Sequence, residues 1–483
     1  MRSKIIFKIF GILLMLFSLS LLPPIVIGFI YNDGGTKAFM AVMGGLLLIG
    51  LLFWLPVRDY TKEMKIRDGF LVVVMFWLVL GFAGALPFFI EEEVPLSFTD
   101  SVFESFSGLT TTGATVLTSI DNLPHSILWY RQQLQWMGGL GIIVLAVAVL
   151  PMLGIGGMQL YRAETPGPMK DSKIAPRISE TAKALWYIYL GLTVVCAGAY
   201  WFAGMSWFDA FAHSFSTVAI GGFSTHDASI GYFDSPLIEG IAIFFMFLAG
   251  IDFALHFSAF RNMSGMGFFR DPEFKTYTVL LLSISVIVVF FLYAHGVYDN
   301  WSDALRYGLF QTVSLATTTG FANADFASWP GFLPVLLIFM SFIGGSAGST
   351  AGGMKVIRFL LLIKQVLREI KGLLHPNAIM PVKLADKTIP EKVLMAVWAF
   401  LAVYVFTFTG FMLIVMAFGV DQVTAFSAVA AMMNNLGPGL GEVSAHYADM
   451  NDPVKWVLSL AMLMGRLEIF TLLVLFTAAF WRK

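Results

Sequence analysis

Long apolar runs separated by short polar segments set the pattern of this chain. The first run, Ile5–Ile30, outlasts the apolar core of a cleavable signal, carries a Pro23-Pro24 interruption and lacks a small-residue cleavage site, so it reads as a retained helix. Nine further spans are expected near 39–55, 70–90, 127–153, 184–204, 238–260, 276–296, 330–360, 392–419 and 454–480. At about 20 residues per crossing plus connections, ten helices fill the length and leave no room for a large soluble domain.

Composition agrees with that pattern. Of 483 residues 58% are hydrophobic and only 13% are charged, against about 25% charged in a soluble domain. This composition argues against an ordinary soluble enzyme, and lipid becomes the solvent for much of the apolar surface. A net charge of −1 removes any nucleic-acid partner bound through a basic surface. The single cysteine, Cys196, can form neither an intrachain disulfide nor a cysteine-rich metal site and reads as a small apolar helix residue.

The charges are sorted. With the N-terminus in the cytoplasm, 25 of the 30 Lys and Arg fall on inner segments, eight of them in 355–392 and five in 162–183. Outside remain Lys37, Arg131, Arg306 and Lys455, with Arg466 inside the last span. This positive-inside asymmetry orients the chain in a cytoplasmic membrane with both termini inside. About 18 of the 31 acids fall outside, Glu91-Glu92-Glu93 among them, which makes the outer face attractive to cations; taken singly, each acid reads first as a solvated loop residue.

Between certain spans lie segments too short and polar to cross, and they repeat. Glu104-Ser-Phe-Ser-Gly-Leu-Thr-Thr-Thr-Gly113 aligns with His213-Ser-Phe-Ser-Thr-Val-Ala-Ile-Gly-Gly222 and with Gln311-Thr-Val-Ser-Leu-Ala-Thr-Thr-Thr-Gly320. A more divergent copy is Ala430-Ala-Met-Met-Asn-Asn-Leu-Gly437. The expected fold is therefore an all-α polytopic membrane protein: two N-terminal helices (1–68), then four helix, re-entrant segment, helix repeats (69–175, 176–274, 275–390 and 391–483) around a pseudo-fourfold central pore. Asp100, Asp209, Asp303 and Asp421 stand where each can cap a short helix at the outer surface. About ten residues at 1.5 Å each descend roughly 15 Å, half the hydrocarbon thickness. Four C-terminal helix ends, each with about half a negative charge, then converge at mid-membrane and favour a cation. The extended backbone beyond them is tolerated only where it is buried or lines water. There, inward carbonyls replace the water around a dehydrated cation. Thr110–Thr112 and Thr317–Thr319 either add hydroxyl ligands or hold these strands against the short helices.

Two further features stand out. The run from Pro330 breaks at Gly344-Gly-Ser-Ala-Gly-Ser-Thr-Ala-Gly-Gly353. Composition alone allows an irregular intramembrane loop or close helix packing through Gly344, Gly348 and Gly352. A phosphate-binding loop is a poor third, because Lys355 is followed by Val356. Arg466 lies 13 residues after Pro453, about 20 Å into the last span, where a charge costs several kcal/mol without water or a partner. Glu468, two positions on, faces elsewhere. Carbonyls of the 344–353 loop or an ion pair with Asp252 are the candidate partners.

Together these motifs resemble the superfamily of Trk, Ktr and HKT potassium transporters, and within it the membrane subunits of the bacterial Trk system. Thr-Thr-Thr-Gly-Ala at 110–114, Gly-Gly-Phe-Ser-Thr-His at 221–226, Asn-Asn-Leu-Gly-Pro-Gly at 434–439 and Gly-Arg-Leu-Glu at 465–468 carry the resemblance, and residues 1–68 favour Trk over Ktr. It implies a potassium filter of Thr111, Thr112 and Gly113, Ile220, Gly221 and Gly222, Thr318, Thr319 and Gly320, and Asn435, Leu436 and Gly437. Potassium itself is expected at Thr111, Thr112, Ile220, Gly221, Thr318, Thr319, Asn435 and Leu436. Glycine in all four copies is associated in the family with potassium selectivity, and serine in the first with sodium transport. The resemblance also implies a gate of Gly344, Gly345, Ser346, Gly348, Ser349, Gly352 and Gly353 with Arg466, a homodimer, and a TrkA-like cytosolic ring that binds NAD and adenine nucleotides. No cofactor is expected in this chain, and potassium is its cargo.

Other classes leave weaker traces. An intramembrane enzyme needs a nucleophile and base or a carboxylate dyad within spans, and no motif joins the lone candidates His256 and Asp252. A proton- or sodium-coupled secondary transporter also uses broken helices. Its inverted repeats and paired intramembrane carboxylates contrast with copies that run in one direction and keep their acids mostly outside.

Overall fold

The computed structural model describes residues 3–60, 66–141, 178–378, 380–385 and 387–482. The chain opens with α1 (Ser3–Leu19) and α2 (Leu22–Tyr31), which together make one apolar span. Pro23 and Pro24 fall in the first turn of α2, where missing N–H groups cost no helical bond, so the interruption lies just before them. The span packs against α3 (Thr36–Trp54) at two glycines: a Cβ on Gly11 would stand 2.7 Å from the Gly50 carbonyl oxygen. Small residues allow this backbone approach.

Four units follow. The first contains α4 (Ile66–Ile90), the short α5 (Phe98–Leu109) and α6 (His125–Trp136). The second contains α7 (Ile178–Phe202), the short α8 (Trp207–Ala219) and the bent pair α9 (Pro236–Ala249) and α10 (Phe253–Asn262). In the third, α11 (Pro272–Ala294) and the short α12 (Trp301–Ala316) precede α13 (Leu333–Ile343) and α14 (Val356–Leu374). The fourth is α15 (Glu391–Ala417), the short α16 (Gln422–Met433) and α17 (Asp452–Arg466). A small antiparallel hairpin pairs Lys383 with Thr388 and Leu384 with Lys387.

Burial departs from that of a soluble protein at both ends of the polarity scale, around an apolar core that includes Phe39, Trp77 and Phe103. Phe202, Phe290 and Phe406 on the long helices are 85%, 64% and 79% exposed, as lipid-facing positions are. The short helices bury their polar residues instead: Ser101, Glu104, Ser105 and Ser107 on α5, and His213, Ser214, Ser216 and Thr217 on α8. The protein is a multi-pass helical membrane protein whose polar core lies at its centre.

Among the described residues, six helices are long and apolar enough to span a membrane, or eight when each bent pair counts as one. The expected span at 127–153 runs beyond the described residues at 141, and the one at 330–360 is α13 and α14 on either side of a loop. The second helix of every unit is broken. α6, α9, α13 and α17 end 23, 27, 23 and 29 residues after Gly113, Gly222, Gly320 and Gly437. The chain bends by 93° after α9 and by 106° after α17. Each break has glycine at hand: Gly138 and Gly139, Gly250, Gly344 and Gly345, and Gly465. Of these breaks only the third shows in the composition of the chain, as the run Gly344–Gly353.

Cys196 is buried within α7.

Candidate functional site

All four short helices end the same way. Their last turns close with paired backbone bonds: Thr112 N–H to Ser107 and Thr111 to Gly108, Gly221 to Ser216 and Ile220 to Thr217, Thr319 to Ser314 and Thr318 to Leu315, Leu436 to Ala431 and Asn435 to Met432. The distances are 2.7–3.2 Å. This is the Schellman closure, with the residue past the helix in the left-handed region. Thr111, Ile220, Thr318 and Asn435 have φ of 55°, 54°, 68° and 53°, and two residues on Gly113, Gly222, Gly320 and Gly437 have φ of 82°, 81°, 83° and 97°. The helix thus absorbs the N–H groups of these segments and leaves the carbonyls. Among the described residues no hydrogen bond reaches the carbonyl oxygens of Thr111, Thr112, Ile220, Thr318, Thr319, Asn435 or Leu436, while Gly221 O accepts from Gln135 Nε2 at 2.6 Å.

The glycines also close a ring. A Cβ on Gly113 would run into the carbonyl oxygen of Gly221, one on Gly222 into that of Thr319, one on Gly320 into that of Leu436, and one on Gly437 into that of Thr112. Each glycine therefore abuts the segment of the next unit, and the fourth returns to the first. Left-handed φ and lack of space both restrict these four positions to glycine.

In the first three units the residue nine positions before the glycine ties the outgoing chain to its short helix; in the fourth, where that residue is Ala428, the neighbouring Ser427 does so through Leu440 N–H at 2.8 Å. Glu104 accepts from Thr115 Oγ1 and from Val116 N, each at 3.0 Å. His213 Nε2 lies 2.9 Å from Ser224 Oγ, and Gln311 Nε2 donates to Ala324 O at 2.7 Å. The threonines act from within: Thr110 and Thr317 donate to Phe106 O and Val313 O and sit 2.8 Å from the hydroxyls of Thr112 and Thr319. They hold strand to helix.

Cross-unit clasps surround the ring. Buried Arg131 pairs with Glu104 at 2.8 Å, donates to Ser224 O in the second unit and lies over the Phe223 ring. Arg306 grips both oxygens of Glu239 at 2.7 and 3.0 Å. Asn434 donates to Ser341 Oγ at 2.9 Å, and Lys455 reaches Asp100 at 2.6 Å. Three of the four cations assigned to the outer face are thus structural. The acids proposed as caps divide likewise. Only Asp421 caps directly, whereas Ser97 and Ser206 cap α5 and α8, with Asp100 and Asp209 inside the first turn, and Asn300 precedes α12. A serine three residues before an acid is the capping-box pattern that points to these caps.

His226 bridges two units. Its Nδ1 is 2.6 Å from Asp121 Oδ1, its Nε2 is 3.4 Å from Asp209 Oδ1, and its ring stacks on Tyr232. Burial alone would lower its pKa, but the carboxylates outweigh it and the pKa is raised.

Beneath the ring lies the 344–353 segment, an irregular loop between α13 and α14. Its neck is closed by Met354 N–H to Phe342 O at 2.8 Å and Lys355 N–H to Ile343 O at 3.0 Å. It touches the ring twice, where Gly352 N–H donates to Thr318 Oγ1 at 2.7 Å and Gly353 N–H to Asn434 O at 3.2 Å. Ser346 N–H bonds Gly250 O and Thr350 Oγ1 bonds Val218 O, which tie it to the second unit. Gly345, Gly348 and Ser349 complete its curve; Gly344, Gly348 and Gly353 have positive φ.

Arg466, the last residue of α17, reaches across this space. It donates to Gly139 O at 2.7 Å, to Gly138 O, to Thr111 Oγ1 at 3.3 Å and to Thr350 O at 3.4 Å. The Thr350 carbonyl belongs to the loop that the sequence offers as a partner. The Gly138 and Gly139 carbonyls, freed at the first unit's break, have no such signal in the chain. Glu468 pairs with Arg358 of α14, and Asp252 caps α10 through Ala254 N at 2.9 Å.

The profile of the family described as TrkH, cation transport protein, matches residues 35–483. Over the full length of both chains, the sequence is 55% identical to the Trk system potassium uptake protein TrkH of Vibrio parahaemolyticus and 54% identical to that of Escherichia coli K12. The crystal structure of the potassium transporter TrkH from Vibrio parahaemolyticus superposes with a TM-score of 0.91 at 52% identity, covering all of both chains.

Proposed function

Because the chain belongs to the TrkH family of cation transport proteins, we propose that it mediates potassium uptake across the bacterial cytoplasmic membrane. The pathway is a channel-like pore with both chain termini in the cytoplasm. Its filter is the ring built on Gly113, Gly222, Gly320 and Gly437, and the observation that carries this reading is the fourfold Schellman closure. Carbonyls relieved of backbone partners by that closure offer a dehydrated cation oxygen ligands from four sides, at Thr111 and Thr112, Ile220 and Gly221, Thr318 and Thr319, and Asn435 and Leu436. The converging helix ends add negative potential.

Below the filter, the 344–353 loop and Arg466 form the gate. A guanidinium within 3.3 Å of Thr111 Oγ1 opposes cation passage by charge, and the loop opposes it by bulk. The chain works as a homodimer and takes its nucleotide control from a TrkA-like cytosolic ring docked on the cations of 355–392.

Current through the purified protein in liposomes tests the reading. It should reverse at the potassium equilibrium potential whether or not a pH gradient is imposed; reversal that shifts with the pH gradient would make the protein a coupled carrier.

A further inference from the structure

Most contacts that hold the 344–353 loop are made by backbone atoms. One carboxylate stands apart. Glu273, in the first turn of α11, turns a single oxygen toward two N–H groups: its Oε1 accepts from Ala347 N at 2.7 Å and from Ile357 N at 3.1 Å. Ala347 lies on the ascending limb of the loop, and Ile357 lies in the first turn of α14, beyond its neck. The N–H of a helix's first turn has no partner within the helix, and a carboxylate there is further favoured by the helix dipole. Glu273 therefore caps α14 and grips the loop with the same atom.

The loop's other limb, at Gly352 and Gly353, is bonded to the filter. For the loop to leave the pathway, the limb at 346–347 has to swing, and the Glu273 bond resists that swing. α14 continues from this point to Leu374 and carries Lys364, Arg368 and Lys371 of the basic inner surface. A displacement of its first turn pulls on Glu273 Oε1 and so on Ala347.

We propose that Glu273 is the positioning residue that latches the 344–353 loop closed and couples it to the first turn of α14. The inference rests on the reading of that loop as the gate. It assigns to a residue of α11, 71 positions before the loop begins, a part in gating that neither the glycine pattern nor Arg466 supplies. Removing this acceptor frees two backbone donors at once.

The test is rubidium flux into proteoliposomes holding the full-length chain, with Arg466→Ala as the reference for the gate. Glu273→Ala should raise basal flux about tenfold, within the range of ordinary couplings between two sites. Discrimination of rubidium against sodium should stay as in the parent, because the filter is untouched. Glu273→Gln, whose amide oxygen still accepts both N–H groups, should return flux close to the parent level; a purely electrostatic role would not give that rescue, and a merely structural one would not raise flux in the alanine variant with selectivity kept. Glu273→Asp, one methylene shorter, should lie between and serves if the alanine variant fails to assemble. Parent-level flux in Glu273→Ala or Glu273→Asp, with Arg466→Ala raised, would overturn the latch alone, as would Glu273→Gln matching the alanine variant. Parent-level flux in Arg466→Ala as well would bring down the gate reading beneath it.

Discussion

Gly352 donates its backbone N–H to the side-chain oxygen of Thr318 at 2.7 Å. A residue of the 344–353 loop is thereby joined to a residue of the candidate filter. Thr318→Val keeps the shape of the side chain and removes the acceptor. A buried donor left without a partner costs about 1–3 kcal/mol, borne here by the loop-bound state, so basal rubidium flux should rise by a factor of about five or more. Flux at the parent level would detach loop from filter functionally.

The Arg131–Glu104 pair makes a different prediction, about stability. Both side chains are essentially inaccessible, and breaking a buried pair costs about 3–5 kcal/mol because it strands the remaining charge. Arg131→Met should lower the thermal midpoint of the detergent-solubilised protein markedly. Adding Glu104→Gln should recover part of the loss by removing the stranded carboxylate. An undiminished midpoint in the single variant would remove the clasp from the account.

Arg466→Ala removes the positive charge beneath the ring and its bonds to Gly139 and Thr350. Potassium flux at saturating potassium should increase by about tenfold, the weight of roughly 1.4 kcal/mol of barrier. Arg466→Lys retains charge without the planar fork of donors and should fall between.

How far the sequence reaches is visible in these residues. The four glycines and the interruption at 344–353 are legible because repetition and composition are local properties of the chain, although composition leaves an irregular loop and close helix packing equally open there. The clasps are not: Lys455 and Asp100 are 355 residues apart, and a positive charge on an outer segment looks solvated until its partner is in place. The breaks after α6, α9 and α17 were hidden for another reason. Hydropathy stays high on both sides of a bend, and a single Gly250 or Gly465 within an apolar run does not announce one. The serine caps were legible in principle through the Ser-x-x-Asp spacing at 97–100 and 206–209.

The pH should act on the clasp between units through His226. Its pKa is raised, so its contribution is complete below the ordinary histidine value of about 6.5 and is lost as pH rises through the higher folded value. For its partner Asp121, burial alone would raise the pKa, but hydrogen bonds from His226 and Asp227 outweigh it and the pKa is lowered. That contribution is complete above the ordinary carboxylate value of about 4 and is lost as pH falls through the folded one. The clasp between units is therefore strongest from about pH 4 to 6.5. Thermal midpoints measured across this window should decline on its alkaline side in the parent and much less in His226→Gln; identical slopes would contradict the assignment.

The central claim is that four glycine-ended segments form the selectivity filter, and the bi-ionic reversal potential in potassium against sodium tests it most directly. Gly113 has φ of 82° and abuts the Gly221 carbonyl oxygen, so Gly113→Ser strains its own strand and displaces its neighbour's ligand. The parent protein should reverse near the potassium potential, and the Gly113→Ser protein should shift decisively toward the sodium potential. An unchanged reversal potential in a folded Gly113→Ser protein would contradict the account.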